Sequence, residues 1–439
     1  MHSKRFLEHY LFDSLIIDSP KRKVSAQSKL KDFFPYYAGF PESFAKSIIG
    51  STSLKTGAVV LDPWNGSGTT TTAALKLGFH TCGIDINPVM VMVARARNLQ
   101  AAAVDLLEAE AKKIFQKTSS INHHVSSDDP LLQWFDIDST LVIRQVEQKA
   151  RTLLIRDCGT LENMELNKYS CLASNLYVAL FNACRVLTKP FRSTNPTWLR
   201  LPKENEHRLS VTKLELKQQF FFQLSNVVAS LRESNIYSDA STESSIIVGD
   251  STTFIRENYA DLILTSPPYC TRIDYTAATR IELALIAPLL GQSRDELSRK
   301  MIGSIKVPKI VCAPDINWGE TCNAFIDKLR NHSSKASAGY YYKSHIDYFS
   351  KMARSMRGLA KSLKSGGGAV LVVQDSYYKD IHNDVASIVT EMAQFQGLTL
   401  FRREDFAQRN SMSGINTRSR KYNKPTGSVE SVICFLKKN

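Results

Sequence analysis

The segment of this 439-residue chain best equipped for chemistry is Asp261-Leu262-Ile263-Leu264-Thr265-Ser266-Pro267-Pro268-Tyr269. An apolar run ends there in a hydroxyl, two prolines and an aromatic ring. Adjacent prolines restrict φ and remove two N–H donors, so the loop is stiff and its carbonyls point outward. The Ser266 hydroxyl and the Pro267 carbonyl can accept both hydrogens of a planar amino group, while the ring bearing that group stacks on Tyr269. The plainer alternative is a proline turn with a packing tyrosine.

A second group is Leu61-Asp62-Pro63-Trp64-Asn65-Gly66-Ser67-Gly68-Thr69-Thr70. Glycines let the backbone turn sharply and approach a ligand that a Cβ would repel. Asp85 follows at the end of the next apolar run, where an acid can accept hydrogen bonds from ribose hydroxyls. The loop lacks the lysine of a phosphate-binding loop and the third glycine expected for a pyrophosphate. A nucleoside without phosphates therefore fits it better than NAD or ATP.

Both groups need strands that end where a ligand binds. Residues 58–62 read as a strand, 69–77 as a helix, 81–86 as a second strand and 88–99 as a second helix. That is the opening of a doubly wound α/β domain. Residues 100–245 then show helical periodicity, clearest in 100–117, 171–187 and 211–232. Alternation resumes with strands at 245–248 and 260–264 and a helix over about 345–363. A turn at Gly366-Gly367-Gly368, a strand at 369–373, a helix near 381–396 and strands near 398–403 and 429–436 complete the chain. The expected division is an N-terminal segment 1–50, an α/β domain of 51–99 plus 246–439, and a helical insertion of 100–245. A short helix is expected at the very start, followed by a linker from Pro20 to Lys31.

The order of glycine loop, acid, Gly249-Asp250 and then Ser-Pro-Pro-Tyr resembles that of the DNA amino-methyltransferases. The resemblance covers most of 33–99 and 246–439. It implies a doubly wound Rossmann-like α/β methyltransferase sheet with a mainly helical insertion, and S-adenosylmethionine as cofactor. It places Asp85 on the ribose and Asp250 on the adenine. Asp62, Pro63, Asn65, Gly66, Ser67, Gly68 and Thr69 then wrap the methionine end, and Asn87 joins them as a cofactor contact. The run Phe33 to Phe40 looks like the family's N-terminal cofactor motif, which makes Tyr37 a further contact. Ser266, Pro267, Pro268 and Tyr269 become the catalytic residues, acting on a base flipped out of double-stranded DNA.

Serine before Pro-Pro-Tyr resembles the cytosine-N4 enzymes, so cytosine-N4 is the expected target. Adenine-N6 is the alternative, RNA base methylation a further one, and a non-catalytic nucleic-acid-binding module the reading from another class. Cys270 is expected to line the pocket, and Arg272 with Asp274 to brace the catalytic loop or touch a phosphate. The insertion is a candidate target-recognition region. Its Trp198 and Arg200 either contact bases or belong to a helix terminus around a buried tryptophan. No nuclease motif is recognisable, so any cognate restriction endonuclease is expected to be a separate chain.

Lys and Arg total 56 against 42 Asp and Glu, a net charge of +14 that suits a polyanionic partner. The excess is uneven: 100–245 carries 17 basic and 17 acidic side chains, whereas 299–364 carries 13 basic and 4 acidic. Lys306 and Lys309 are therefore expected to contact DNA, as are Arg418, Arg420 and Lys421 in an acid-free stretch near the C-terminus. The 8 cysteines show no CxxC pairing and no histidine at zinc spacing. They read as reduced thiols, with no metal site. Met1-His2-Ser3-Lys4-Arg5 precedes only a short apolar run broken by Glu8 and Asp13. No secretion signal or membrane partner is expected, and the location inferred is the cytoplasm of a prokaryote, at the nucleoid.

Overall fold

Short apolar runs that end in a polar residue, such as Val60-Leu61-Asp62 and Leu262-Ile263-Leu264-Thr265, have the character of strands covered on both faces. The computed structural model describes residues 11–21, 33–36, 39–116, 124–154, 170–193, 198–234, 236, 242–270, 273–408 and 428–438. Its main sheet contains β1 (Val59–Asp62), β2 (His80–Asp85), β3 (Ser244–Val248), β4 (Ala260–Thr265), β5 (Leu363–Gln374), β8 (Leu398–Gln408) and β9 (Ser428–Lys437). The strand order is β3-β2-β1-β4-β5-β9-β8, and a separate hairpin joins β6 (Ser376–Tyr378) to β7 (Ile381–Asn383). The pairs from β3 across to β5 are parallel, whereas β9 runs antiparallel to both β5 and β8. Strand order reverses between β1 and β4, and a doubly wound sheet opens its ligand crevice at such a point.

Alternation along the strands divides the core into layers. Leu61, Ile263, Ala369, Leu371, Ile433 and Phe435 face one side. They pack there with α10 (Glu320–Arg330), α11 (Tyr342–Ser362) and α12 (Val385–Phe395). Val60, Leu262, Leu264, Val370 and Val432 face the other side, against α1 (Glu42–Gly50), α2 (Thr69–Lys76) and Phe12. A third core joins α3 (Pro88–Arg97) to α4 (Leu106–Phe115), α5 (Ile137–Leu154), α6 (Cys171–Leu187), α7 (Lys213–Ser234) and α8 (Arg280–Leu285). Segment 100–245 thus shares its apolar interior with α3 and α8.

The expected strands and helices around both motifs are present, within a few residues of their expected limits. Three details differ. Gly366-Gly367-Gly368 does not form a turn before the strand but lies inside β5, as an irregularity where the register to β4 shifts. A Cβ on Gly368 would sit 2.4 Å from Phe12 Cζ, so the missing side chain makes room for that ring. The helix expected from 381 begins at Val385, because 381–383 pair in the hairpin and Asp384 caps the helix through the Ser387 N–H. Helices α9 (Arg294–Lys300) and α10 have no counterpart among the expected elements, and α5 falls inside the helical 100–245 without being among its clearest stretches. The expected N-terminal helix falls largely on residues outside the described ones. No helix among the described residues is long and apolar enough to cross a membrane.

Candidate active site

Strands β1 and β4 lie side by side and end together, so Asp62 and Thr265 meet at the sheet edge. The Thr265 hydroxyl donates to Asp62 Oδ1 at 2.5 Å, and the Trp64 N–H donates to the same oxygen at 3.0 Å. The chain then turns. Gly66 takes φ 48° and its N–H donates to Asp85 Oδ2 at 2.8 Å, while the Asn87 N–H donates to Asp85 Oδ1 at 2.7 Å. One carboxylate therefore ties the glycine turn to the start of α3. Asn87 caps that helix through the Val89 N–H, and its amide donates to Thr279 Oγ1 at 2.9 Å. Burial raises the pKa of both Asp62 and Asp85 to about 6. Asp85 keeps more surface than Asp62, but that surface lies on the cavity wall.

The catalytic loop is held from behind. The Tyr348 hydroxyl on α11 donates to the Pro268 carbonyl at 2.9 Å, and the Tyr269 N–H donates to Tyr275 Oη at 3.1 Å. The Tyr269 hydroxyl donates to Glu430 Oε1 on β9 at 3.2 Å. Burial, then Glu430 and Tyr275, raise the Tyr269 pKa far above the ordinary phenol value, so the ring stays protonated. Gly303 closes against this loop at φ 74°, and a Cβ there would stand 2.9 Å from the Tyr269 carbonyl. No donor among the described residues occupies the Pro267 carbonyl.

The two halves line one cavity of about 260 Å³. Of the residues the sequence singles out, Asp62, Pro63, Asn65, Gly66, Ser67, Thr69, Asp85, Asn87, Asp250 and Ser266 to Tyr269 are on its wall. Gly68 is placed behind the wall: at φ 84° it begins α2, and a Cβ there would approach Ala94 Cβ to 2.8 Å. Tyr37 lies outside the described residues. Its neighbour Tyr36 lines the cavity and comes within 3.5 Å of the place a Gly66 Cβ would take. Cys270 is corrected. It sits in the core with Cys322 and Phe349, its thiol pushed up to about 12 by burial, because the chain turns inward after Tyr269.

Sequence reading placed Tyr36 within the Phe33 to Phe40 run without singling it out, and missed Tyr275, Met90, Ile302, Gly83 and Glu430. Gly83 is required because a Cβ there would lie 2.5 Å from Asn65 Cγ, so β2 is kept bare where the turn folds over it. A single glycine inside an apolar strand is the local sign of such an approach. The Trp64 Nε1 and Asn65 Nδ2 donors are buried without a partner among the described residues, on residues of the cavity wall.

Of the residues expected to meet nucleic acid, the described ones, Trp198, Arg200, Lys306 and Lys309, lie outside the cavity. Arg200 holds both oxygens of Glu206 and lies over the Phe191 ring, with Trp198 half-buried nearby. Lys306 pairs with Asp295 at 3.1 Å, and Lys309 is exposed. Asp274 caps the turn through the Thr276 and Ala277 N–H groups and faces Arg294 at 3.9 Å. Arg272, Arg418, Arg420 and Lys421 lie outside the described residues. No metal-holding cluster of His, Cys, Asp or Glu occurs among the described residues.

Residues 10–95 match a family model for N6/N4-type methyltransferases described as DNA methylase. The type II methyltransferase M.BsoBI of Geobacillus stearothermophilus is 25% identical over 292 residues, which is 60% of this chain and 54% of that protein. The chain thus spans about half the length of that relative. An rRNA methyltransferase, aviRa, from Streptomyces viridochromogenes is 12% identical, with a TM-score of 0.30 over 94% of each chain. A TehB-like SAM-dependent methyltransferase from Corynebacterium glutamicum is 10% identical, with a TM-score of 0.26 over 88% of this chain and 83% of the other. The fold assignment rests on the strand order described above.

Proposed function

We propose that the chain is a DNA amino-methyltransferase that methylates an exocyclic amino group in DNA, at N4 of cytosine, a reading supported by the match of residues 10–95 to the DNA methylase family. The cofactor is S-adenosylmethionine. The observation that carries the reading is the single cavity on whose wall the glycine turn, Asp85 and the Ser-Pro-Pro-Tyr loop meet. The wall suits that cofactor: the Asp62 and Asp85 carboxylates complement a cation and can accept from hydroxyl donors.

Asp85 would hold the ribose hydroxyls, Asp250 the adenine, and the 62–69 turn the methionine end. When bound, the cofactor supplies an electrophilic methyl group on a sulfonium. The amino group of a base is a poor nucleophile because its lone pair conjugates into the ring. Ser266 Oγ and the Pro267 carbonyl accept its two N–H groups and turn its lone pair away from the ring plane. Tyr269 offers a face for the flipped base, a contact worth about 1–3 kcal/mol. Much of the remaining gain is positioning for in-line transfer.

Lys306, Lys309, Arg418, Arg420 and Lys421 are proposed to contact the DNA backbone. Segment 100–245, with Trp198 and Arg200, is the proposed region for target recognition. The name of the relative assigns it to a type II system; the same setting is proposed here, with any endonuclease a separate chain.

The test is to express the chain in a host lacking other methyltransferases, digest the DNA to nucleosides and analyse them by mass spectrometry. N4-methylcytosine is expected, and a Tyr269→Ala variant should lose most of it. N6-methyladenine would overturn the choice of base, and a methyl group found only in RNA would overturn DNA as substrate.

A further inference from the structure

Cytosine and adenine share one edge: the carbon bearing the amino group is also bonded to a ring nitrogen with a bare lone pair. Pairing in a duplex gives that nitrogen a donor, and flipping the base takes the donor away. A pocket that accepts the two amino hydrogens therefore also needs a donor beside them, because a buried polar atom left unpaired is costly. The other wall residues near the Ser-Pro-Pro-Tyr loop are Ile273 and Tyr275, which follow it, and Lys300, Met301 and Ile302, which lead into Gly303. Ile273, Met301 and Ile302 have no side-chain N–H or O–H to offer. The Lys300 ammonium is exposed and bonded to Gln292 Oε1 at 2.6 Å, and the Tyr269 hydroxyl is spent on Glu430. That leaves Tyr275.

Resting on the methyltransferase reading above, we propose that Tyr275 reads the target base, its hydroxyl donating to the ring nitrogen next to the amino group, N3 in cytosine. The Pro268–Tyr269 peptide is trans, so its carbonyl and its N–H point to opposite sides. Tyr348, buried on α11, donates to the carbonyl from the core, while Tyr275, on the cavity wall, accepts the N–H from the other side at 3.1 Å. Accepting that bond occupies a lone pair of the phenol oxygen and leaves its proton on the side away from the loop. No acceptor among the described residues takes the proton. The ring packs against the core shared by α3, α6 and α8, and Asp274 fixes the backbone beside it by accepting the Thr276 and Ala277 N–H groups. Burial pushes the phenol up to about 12, so it remains a donor at neutral pH.

A donor at this place selects among bases. Thymine has no amino group for Ser266 and Pro267, and guanine with its N1–H turned to Tyr275 would set donor against donor. Cytosine and adenine both satisfy it, so the contact defines the class of edge and leaves the choice of ring to the rest of the wall. It does not drive the transfer. As the amino lone pair turns from the ring toward the methyl group, the ring nitrogen loses electron density and becomes a weaker acceptor. Tyr275 therefore acts in seating the base, and its effect belongs in KM rather than in kcat.

The test crosses one residue change with one atom change. Wild type and Tyr275→Phe are assayed for methyl transfer at saturating S-adenosylmethionine on two duplexes that differ only at the position found methylated. One carries cytosine there and the other 3-deazacytosine, in which a C–H replaces N3. Phenylalanine keeps the packed ring, so Tm and the calorimetric affinity for cofactor should stay at their wild-type values. The variant should lose about 5-fold more kcat/KM on cytosine than on the analogue, the usual worth of one neutral hydrogen bond, and the difference should sit in KM. Weaker pairing of the analogue affects both proteins alike and cancels in that ratio. An equal loss on the two duplexes overturns the proposal, because Tyr275 then only holds the Tyr269 N–H. If the methylated base is adenine, the same cross with 1-deazaadenine decides the role of Tyr275, and only the choice of cytosine falls. A wild type that binds cofactor yet methylates no DNA overturns the methyltransferase reading instead, and the base contact with it.

Discussion

Lowering the pH should weaken cofactor binding before it unfolds the protein. Asp62 and Asp85 are pushed to about 6, chiefly by burial, with the charge on Asp62 adding to the rise at Asp85. If a cationic ligand with ribose hydroxyls needs both carboxylates ionised, affinity falls by 1 + 10^(pKa − pH) for each. At pH 5.5 that factor is about 4 per group and about 17 for the two, or roughly 1.7 kcal/mol, whereas near pH 8 it is close to 1. Because both groups lie near 6, the fall should be one transition rather than two resolved steps. Stability follows the opposite sign. An acid whose folded pKa is raised binds more protons folded than unfolded between about 4 and 6, so these two groups stabilise the protein as pH falls through that window. Loss of affinity therefore cannot be unfolding driven by these residues. Calorimetric titration with S-adenosylmethionine from pH 5.5 to 8 measures it directly. An affinity flat across that range would show that neither carboxylate serves the cofactor in its ionised form.

Gly83→Ala should push the Asn65 side chain off β2, since the new methyl would lie 2.5 Å from Asn65 Cγ. Overpacking of this kind costs about 1–3 kcal/mol; a lower Tm together with weaker cofactor binding is expected, and an unchanged Tm would mean the turn has room to spare. Replacing Lys306 and Lys309 with alanine should weaken binding to every duplex sequence and flatten the log–log salt dependence by up to about 2. Fluorescence anisotropy at several salt concentrations reads that slope, and altered sequence preference at unchanged slope would reassign the two lysines to base contacts.

Both chemical motifs were legible because each is contiguous and bounded by a strand whose apolar run is short and unbroken. Helix α6 was equally plain: Ser170 caps it, and its apolar positions are buried from Ala173 onward. Helix α5 was not, because its inner face carries charge. Glu147 is buried there against Tyr177 Oη at 2.8 Å, and Arg144 is buried against Asp129, which breaks the apolar stripe that periodicity detects. Glu430 could not be inferred, because its contact with Tyr269 spans 161 residues and forms only when β9 enters the sheet beside β5. The triple glycine misled because glycines in a row usually mark a turn, whereas here Gly368 makes room for Phe12 from the far end of the chain and Gly367 for the Lys364 and Asp261 carbonyls.

The buried charges that hid α5 also explain how segment 100–245 bears on the catalytic loop. The polypeptide leaving Tyr269 runs into α8, and both ends of that helix are gripped from the insertion. Arg185 on α6 bonds the Ala278 carbonyl and the fully buried Glu282, while Arg144 on α5 bonds the Ala284 and Leu285 carbonyls. From the cofactor side, Asn87 reaches Thr279 just ahead of α8. Removing one member of a buried ion pair costs about 3–5 kcal/mol, so these clamps cannot slip without a large penalty. The gap between the glycine turn and the Ser-Pro-Pro-Tyr loop is thereby set in part by α5 and α6, whose inner faces are committed to that task. The 198–200 stretch is tied to the catalytic side as well, because Arg280 of α8 donates to the Leu199 carbonyl at 3.2 Å.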